Sequence, residues 1–412
     1  MLLPESDGAM STPLIPATCP VCSHNVAAPF FEAGAHPLAT LGWPAGVTEA
    51  QAMRPYPQDY VQCPQCTHIW NCKFSYDAIP YQKNPNRMFN NGINWKGHLA
   101  ATGEMLLARL PRTPTVVDVG CGEGHFVRAL ANALEGAGRF VGFDPNATAE
   151  TGVNVEFHSR YFQPLQDMPE FAPDAITIRH VLEHLSDPAS LLEQMAWGAA
   201  SLGKPCWLFA EVPCIDRAIE TGRLVDFFYE HPSQFTTSSF KVLLERAGEI
   251  VELAHGYDQE VVYALVRLGV PAAPTQRVAQ AANFHSRANA YRSAIRAQLS
   301  ELATSGKKFA IWGGTGKAAA FINQYGADAQ RFPLVVDSDP DKSGTFVPGT
   351  GQEIVFRDIL KTQPADVVII PTQWRARDIV AEMTREGIVP ALVLIEHQGR
   401  LIDFMDGDHP YR

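Results

Sequence analysis

The run VVDVGCGEGHF (116–126) constrains this chain more than any other segment. Its β-branched start, Val116–Val119, reads as a buried strand, and HFVRALANAL (125–134) resumes with helical spacing. Between them stand Gly120, Gly122 and Gly124. Alternate glycines permit a sharp turn and let a ligand lie against the backbone at the start of the helix. A strand that turns straight into a helix must find parallel neighbours, and the chain supplies them: RFVGFD (139–144), NVEFH (154–158), AITIRHV (175–181) and PCWLFAEV (205–212), with the helical SLLEQMAWGAAS (190–201) before the last. Short apolar runs alternating with helical periods predict an α/β fold, a mostly parallel sheet covered on both faces. EIVELAHGY (249–257) and VVYALVRLG (261–269) lie close enough to close that sheet as an antiparallel hairpin.

The same order recurs later. KFAIWGGTGKAAAFINQYG (308–326), FPLVVDSD (332–339), ADVVIIPT (365–372) and ALVLIE (391–396) repeat strand, glycine loop, helix and strand, so two Rossmann-like units stand in series. At roughly 100–200 residues per domain, a chain this long holds several. The boundaries read as a flexible tail (1–16), a small N-terminal module (17–90), a first Rossmann-like domain (91–270), a connecting helix (271–306) entered through PAAP and closed by Gly306, and a second Rossmann-like domain (307–412).

The N-terminal module is dense in Pro, Gly and aromatic residues with few apolar runs, and reads as loop-rich and in need of a staple. Of the eight cysteines, Cys19 and Cys22 form one C-x-x-C pair and Cys63 and Cys66, after forty intervening residues, a second. Four thiolates in two knuckles suit tetrahedral zinc, and a closed four-sulfur sphere makes that zinc structural. His24 or Cys72 could replace one ligand, while Cys206 and Cys214 read as buried thiols. With 33 Lys+Arg against 44 Asp+Glu the net charge is −11, which argues against nucleic acid as the partner. No run approaches the length of about 18 apolar residues that spans a bilayer, and no secretory leader is visible, so a cytoplasmic protein with no membrane partner is expected.

Chemistry gathers at four places. Asp118 precedes the glycine turn, and Asp144 ends the next strand, where a carboxylate can accept both hydroxyls of a ribose. His180, Glu183 and His184 follow the strand at 175–179, at the mouth of the same sheet. Phe228-Tyr229-Glu230-His231-Pro232 places an imidazole, able to take a proton near neutral pH, beside an acid that could orient it. In the second Rossmann-like unit Gly313, Gly314, Gly316 and Lys317 could hold phosphate without matching the Walker spacing.

The strand, the D-x-G-x-G-x-G turn and the downstream Asp144 resemble motif I and the acidic second strand of class I S-adenosylmethionine-dependent methyltransferases. The whole order of parts resembles the three-domain, zinc-containing sugar C-methyltransferase family, which methylates nucleotide-linked ketosugars. The resemblance implies a zinc module closing over the substrate, S-adenosylmethionine held by the middle domain through Asp118, Gly120, Gly122, Gly124, Asp144 and His180, and a last domain completing the sugar-nucleotide cleft through Gly314 and Lys317. Its tyrosine-rich segment is matched by Ile79-Pro80-Tyr81, and its Y-x-E-H segment, one residue shorter, by Tyr229-Glu230-His231. The implied chemistry is proton removal beside a ketone, with His231 as base, Glu230 at its side, and Tyr81 or Tyr229 stabilising the oxyanion, then methyl transfer to the enolate. An O- or N-methyltransferase on the same scaffold is the alternative enzyme. A non-catalytic zinc and Rossmann binding protein is the alternative of another class.

Overall fold

The apolar runs pair as strands, and the order in which they pair locates the cleft. A computed structural model describes residues 13–79, 90, 92–147, 150–270 and 272–412. The chain divides into two compact units, Met1–Pro271 and Ala272–Arg412.

The main sheet of the first unit runs, edge to edge, Gly248–Gly256, Val261–Leu268, Trp207–Pro213, Ala175–Arg179, Thr115–Val119, Arg139–Phe143 and Val155–His158. Thr115–Val119 is parallel to both its neighbours, and the expected hairpin closes one edge antiparallel to Trp207–Pro213. Strand order therefore reverses beside Thr115–Val119, and in open α/β sheets a ligand crevice lies outside the carboxyl ends of the strands at such a point. Along these strands Val117, Val141, Ile176 and Leu208 enter one core and Val116, Phe140, Ala175 and Phe209 the other. Burial on both faces is why the runs are apolar throughout and do not alternate. Helix Pro188–Ala200 starts where the sequence provides a cap: Asp187 accepts from the Ser190 amide at 3.0 Å and proline occupies the first turn.

The N-terminal module differs from its expectation. It is a five-stranded antiparallel sheet, in the order Ile15–Pro16, Val26–His36, Tyr56–Gln62, Ile69–Asn71 and Ser233–Gln234. Strand signals were weak there because Val26–His36 carries Pro29 and Gly34 and slips register twice against its partner. Residues 1–12 of the expected tail lie outside the described residues, whereas Ile15 and Pro16 pair with Ala27 and Val26.

The fifth strand comes from far along the chain. Ser233 pairs with Trp70 and Gln234 with Ile69, and Val61 and Trp70 share one core with Phe235, Phe240 and Leu243. Just before this strand, the fully buried carboxylate of Glu230 accepts from the amides of Ala39 (3.1 Å), Thr40 (2.7 Å) and Leu41 (3.0 Å) and from the Thr40 hydroxyl (3.2 Å). Successive amides converging on one anion form strong, charge-assisted bonds.

The second unit has its own sheet, in the order Thr345–Phe346, Glu353–Phe356, Val335–Asp337, Phe309–Trp312, Val367–Ile370, Leu392–His397 and Arg400–Asp403. Its long helix, Ala272–Thr304, sends Ile295 and Leu299 into the core that holds Phe309 and Ile311. Among the described residues no helix is long and apolar enough to cross a membrane.

Glu230→Ala removes the shared acceptor of three successive amides, that of Leu41 buried, and leaves a cavity in place of a fully buried side chain. It should lower the free energy of unfolding by about 2–5 kcal/mol, read from denaturant titration.

Candidate functional site

A cavity of about 1500 Å³ opens at the carboxyl ends of the parallel strands, where the sheet order reverses. Gly120 and Gly122 line it, and with Gly124 they stand at positive φ (+71°, +52° and +76°). A Cβ on Gly120 would lie 2.2 Å from a Val181 methyl, so the turn can approach the next strand only without a side chain. At Gly122 a Cβ would meet nothing within 4 Å, which leaves open space along the backbone. Gly124 is the N-cap of helix His125–Ala133, whose unpaired amides start here.

The two acids of this motif have distinct surroundings. Asp118 is buried and accepts the Thr177 hydroxyl at 2.6 Å; burial pushes its carboxyl up to about 6, against the pull of that bond and of Arg179. Asp144, half-buried at the cavity wall, accepts from the amides of Gly122 (3.1 Å) and Asn146 (2.8 Å). It thus ties the end of the second strand to the glycine turn.

Beneath the cavity lies a network that the sequence reading missed. Glu211, fully buried, bonds His98 Nε2 (2.5 Å), Arg179 Nη2 (2.8 Å) and His180 Nε2 (3.1 Å). The available signal was a lone glutamate inside the apolar strand WLFAEVP. His180 holds a φ of +53°, a conformation L-residues rarely adopt. Burial alone would strip its proton, but the carboxylates of Glu183 and Glu211 reverse this and raise the ring to about 9.

The segment 228–232 divides. His231 lines the cavity, with its ring 4.1 Å from that of Phe228 and edge-on to His184 at 4.6 Å. Burial, with His184 and His180 beside it, holds this imidazole well below the usual value. Glu230, expected at the side of His231, is instead committed to residues 39–41, because three successive backbone amides claim its carboxylate. Tyr229, expected as an oxyanion donor, is buried in a core with Leu41 and Ile79, and its hydroxyl accepts from the Ser75 amide at 3.0 Å. Tyr81 lies outside the described residues.

The four cysteines come together. Sγ atoms of Cys19 and Cys66, and of Cys22 and Cys63, are 3.5 Å apart, and all four lie within 4.8 Å of one another. The knuckles match in detail: Ser23 and Thr67 sit at φ +63° and +64°, and the Cys19 and Cys63 amides donate to the carbonyls of His24 and His68, both at 2.8 Å. A tetrahedral ion with bonds of about 2.3 Å would set sulfurs about 3.8 Å apart, so this donor set fits zinc.

In the second unit Gly314 is buried, and a Cβ there would fall 2.4 Å from the Ile354 side chain, so packing alone already calls for glycine. Lys317 is exposed at the start of its helix, with its ammonium 3.9 Å from the ring centre of Trp374.

Residues 96–252 match a family described as a methyltransferase domain. The middle of this chain has a methyltransferase Rossmann-like fold. Residues 269–389 match a second family, described as a C-methyltransferase C-terminal domain. The ubiquinone biosynthesis O-methyltransferase of Sodalis glossinidius is 35% identical over 89 residues, 20% of this chain and 35% of that protein, so the chain spans about a third of the curated relative it matches. Among solved structures, the plantazolicin methyltransferase BpumL in complex with a monoazolic desmethylPZN analogue and SAH is 16% identical, with a TM-score of 0.32, over 43% of this chain and 84% of that one. Human N-acetylserotonin methyltransferase in complex with S-adenosylmethionine (SAM) is 15% identical, with a TM-score of 0.32, over 42% and 52%.

Within the methyltransferase domain the His180 cation makes a testable contribution to stability. Its folded value, about 9, exceeds the free imidazole's, so its contribution is complete below about pH 6.5 and is lost as pH rises through 9. Denaturant titrations at pH 6.5 and 9.5 should differ by about 3 kcal/mol from this group. Glu211→Gln should remove most of that difference.

Proposed function

We propose that this chain is an S-adenosylmethionine-dependent C-methyltransferase acting on a nucleotide-linked ketosugar through an enolate. The observation that carries the reading is the pairing of a methyltransferase domain with a C-methyltransferase C-terminal domain in one chain. A cavity of about 1500 Å³ supports it, since pockets for a single small ligand are usually about 300–1,000 Å³ and two reactants must share this one.

The residues present fit the cofactor. The space along Gly122 and the carboxylate of Asp144 at its edge form a cradle for methionine and ribose, and Asp118 and His180 line the same cavity. S-adenosylmethionine, when bound, supplies an electrophilic methyl group. His231 is the chain's base. Held unprotonated at neutral pH by burial, it can remove a proton from the carbon beside a ketone. Tyr81 is the remaining candidate donor to the developing oxyanion, since Tyr229 is buried elsewhere. Lys317 is the second unit's candidate for an anionic group of the substrate.

A zinc ion on Cys19, Cys22, Cys63 and Cys66 would hold the knuckles of the N-terminal sheet and leave no open coordination position, so its role is structural. Metal analysis of protein purified without chelator should find one zinc per chain, and Cys63→Ser/Cys66→Ser should lose it and unfold the module. Less than half an equivalent would refute the assignment.

The function is tested by offering the purified protein S-adenosylmethionine carrying a ¹³C methyl and a panel of nucleotide-linked ketosugars, then locating the label by mass spectrometry and NMR. A new C–CH₃ group is expected; label on oxygen or nitrogen would assign the alternative chemistry. His231→Ala should reduce turnover by about 10²–10⁴-fold with cofactor affinity near wild type. The acid limb of kcat/KM should fall well below pH 6.5, because His231 gains its proton only there.

A further inference from the structure

Glu183 stands on the short turn Leu182–His184 that follows the strand Ala175–Arg179. It is 2% exposed, and among the described residues neither carboxylate oxygen finds a hydrogen-bond partner; its nearest cation, His180 Nδ1, is 3.5 Å away. Its neighbours in kind are treated differently: Glu211 and Glu230, also buried, are saturated with donors. A buried carboxylate left short of donors is costly, and such a group persists where a positive charge visits it. The candidate visitor is adjacent. One oxygen of Glu183 and ring nitrogens of His184 and His231 lie within 4.8 Å of one another, and all three residues line the cavity. His184 is fixed in place by its Nδ1, which donates to the Glu230 carbonyl at 2.7 Å.

We propose that Glu183 is the positioning counter-charge for His231, offsetting the imidazolium formed when His231 takes the substrate proton. This rests on the reading of His231 as base. In the step, the C–H bond beside the ketone breaks, its proton passes to His231 and its electron pair becomes the enolate. The new C–C bond then forms as the methyl–sulfur bond breaks with its pair left on sulfur, and His231 returns its proton to water. The charged and titratable groups around His231 are His180, Glu183 and His184 from the turn after the fourth strand, Glu230 and Asp226 on its own segment, and Glu260 across the cavity. Glu230 is taken by residues 39–41, and Asp226 and Glu260 share Arg223. His180 carries a proton already. Protonated His231 would therefore add a second cation beside Glu183, the carboxylate that faces His180 Nδ1 at 3.5 Å and lies within 4.8 Å of a His231 ring nitrogen.

The test uses the full chain with S-adenosylhomocysteine, so that proton transfer is read without methyl transfer. With the panel sugar that the wild type methylates, exchange of the substrate C–H for deuterium should slow about 100-fold or more in Glu183→Gln. Cofactor affinity should change less than twofold, and Glu183→Asp should recover part of the rate. Glu183→Gln/His231→Ala should be no slower than His231→Ala alone, since a counter-charge acts only through the group it serves. NMR of labelled histidines, which needs no substrate, should show the His231 titration moving to lower pH in Glu183→Gln. Exchange within threefold of wild type, losses that multiply in the double variant, or an unmoved His231 titration would each overturn the proposal. So would a second bound metal ion that Glu183→Gln removes. If the wild type exchanges no sugar proton while the titration shift is seen, it is the function reading that has failed, and the electrostatic pairing stands.

Discussion

The site depends on one buried carboxylate. Glu230 gathers the amides of residues 39–41, and the strand Ser233–Gln234 completes the N-terminal sheet three residues later. Between these two attachments lies His231, whose position is thereby set from both sides. Without them the segment from Phe228 to Pro232 would be an exposed loop after the fifth parallel strand, free to move relative to the glycine turn. Tying it to the cysteine module makes the module part of the cavity wall, to which Thr40 and Tyr76 contribute. The matched knuckles at 19–24 and 63–68 brace the far end of the same sheet.

Three buried glutamates show how different surroundings give one residue type different work. Glu230 is satisfied by backbone amides and serves architecture. Glu211 is satisfied by Arg179, His98 and His180, and holds the floor beneath the cavity. Glu183 has no comparable set of donors and faces two imidazoles. The protonated His180 joins the last two, its Nδ1 3.5 Å from Glu183 and its Nε2 3.1 Å from Glu211.

Much of the fold was legible in the chain itself. Gly120 and Gly124 leave room for Val181 and Phe157, which occupy the space where their side chains would go, and Gly122 supplies a positive φ between them. Two-sided burial wrote the parallel strands as unbroken apolar runs, and the two C-x-x-C pairs announced a four-sulfur cluster. The five-stranded N-terminal sheet was not legible, since its bulged strands mix Pro, Gly and exposed residues and its last strand is only two residues long.

For the site, sequence alone determined which chemical groups gather at the carboxyl ends of the strands: Asp118, Asp144, His180 and His231 stand at strand ends or in the loops that follow, and all line the cavity. Only tertiary structure decided what each neighbour does. Tyr229 and Glu230 read as partners of His231 because they adjoin it in the chain, yet one is buried in a core and the other bound to residues about 190 positions away. Backbone amides are the same at every position and leave no mark in a sequence, so a carboxylate that seeks them cannot be told, before folding, from one that serves an imidazole.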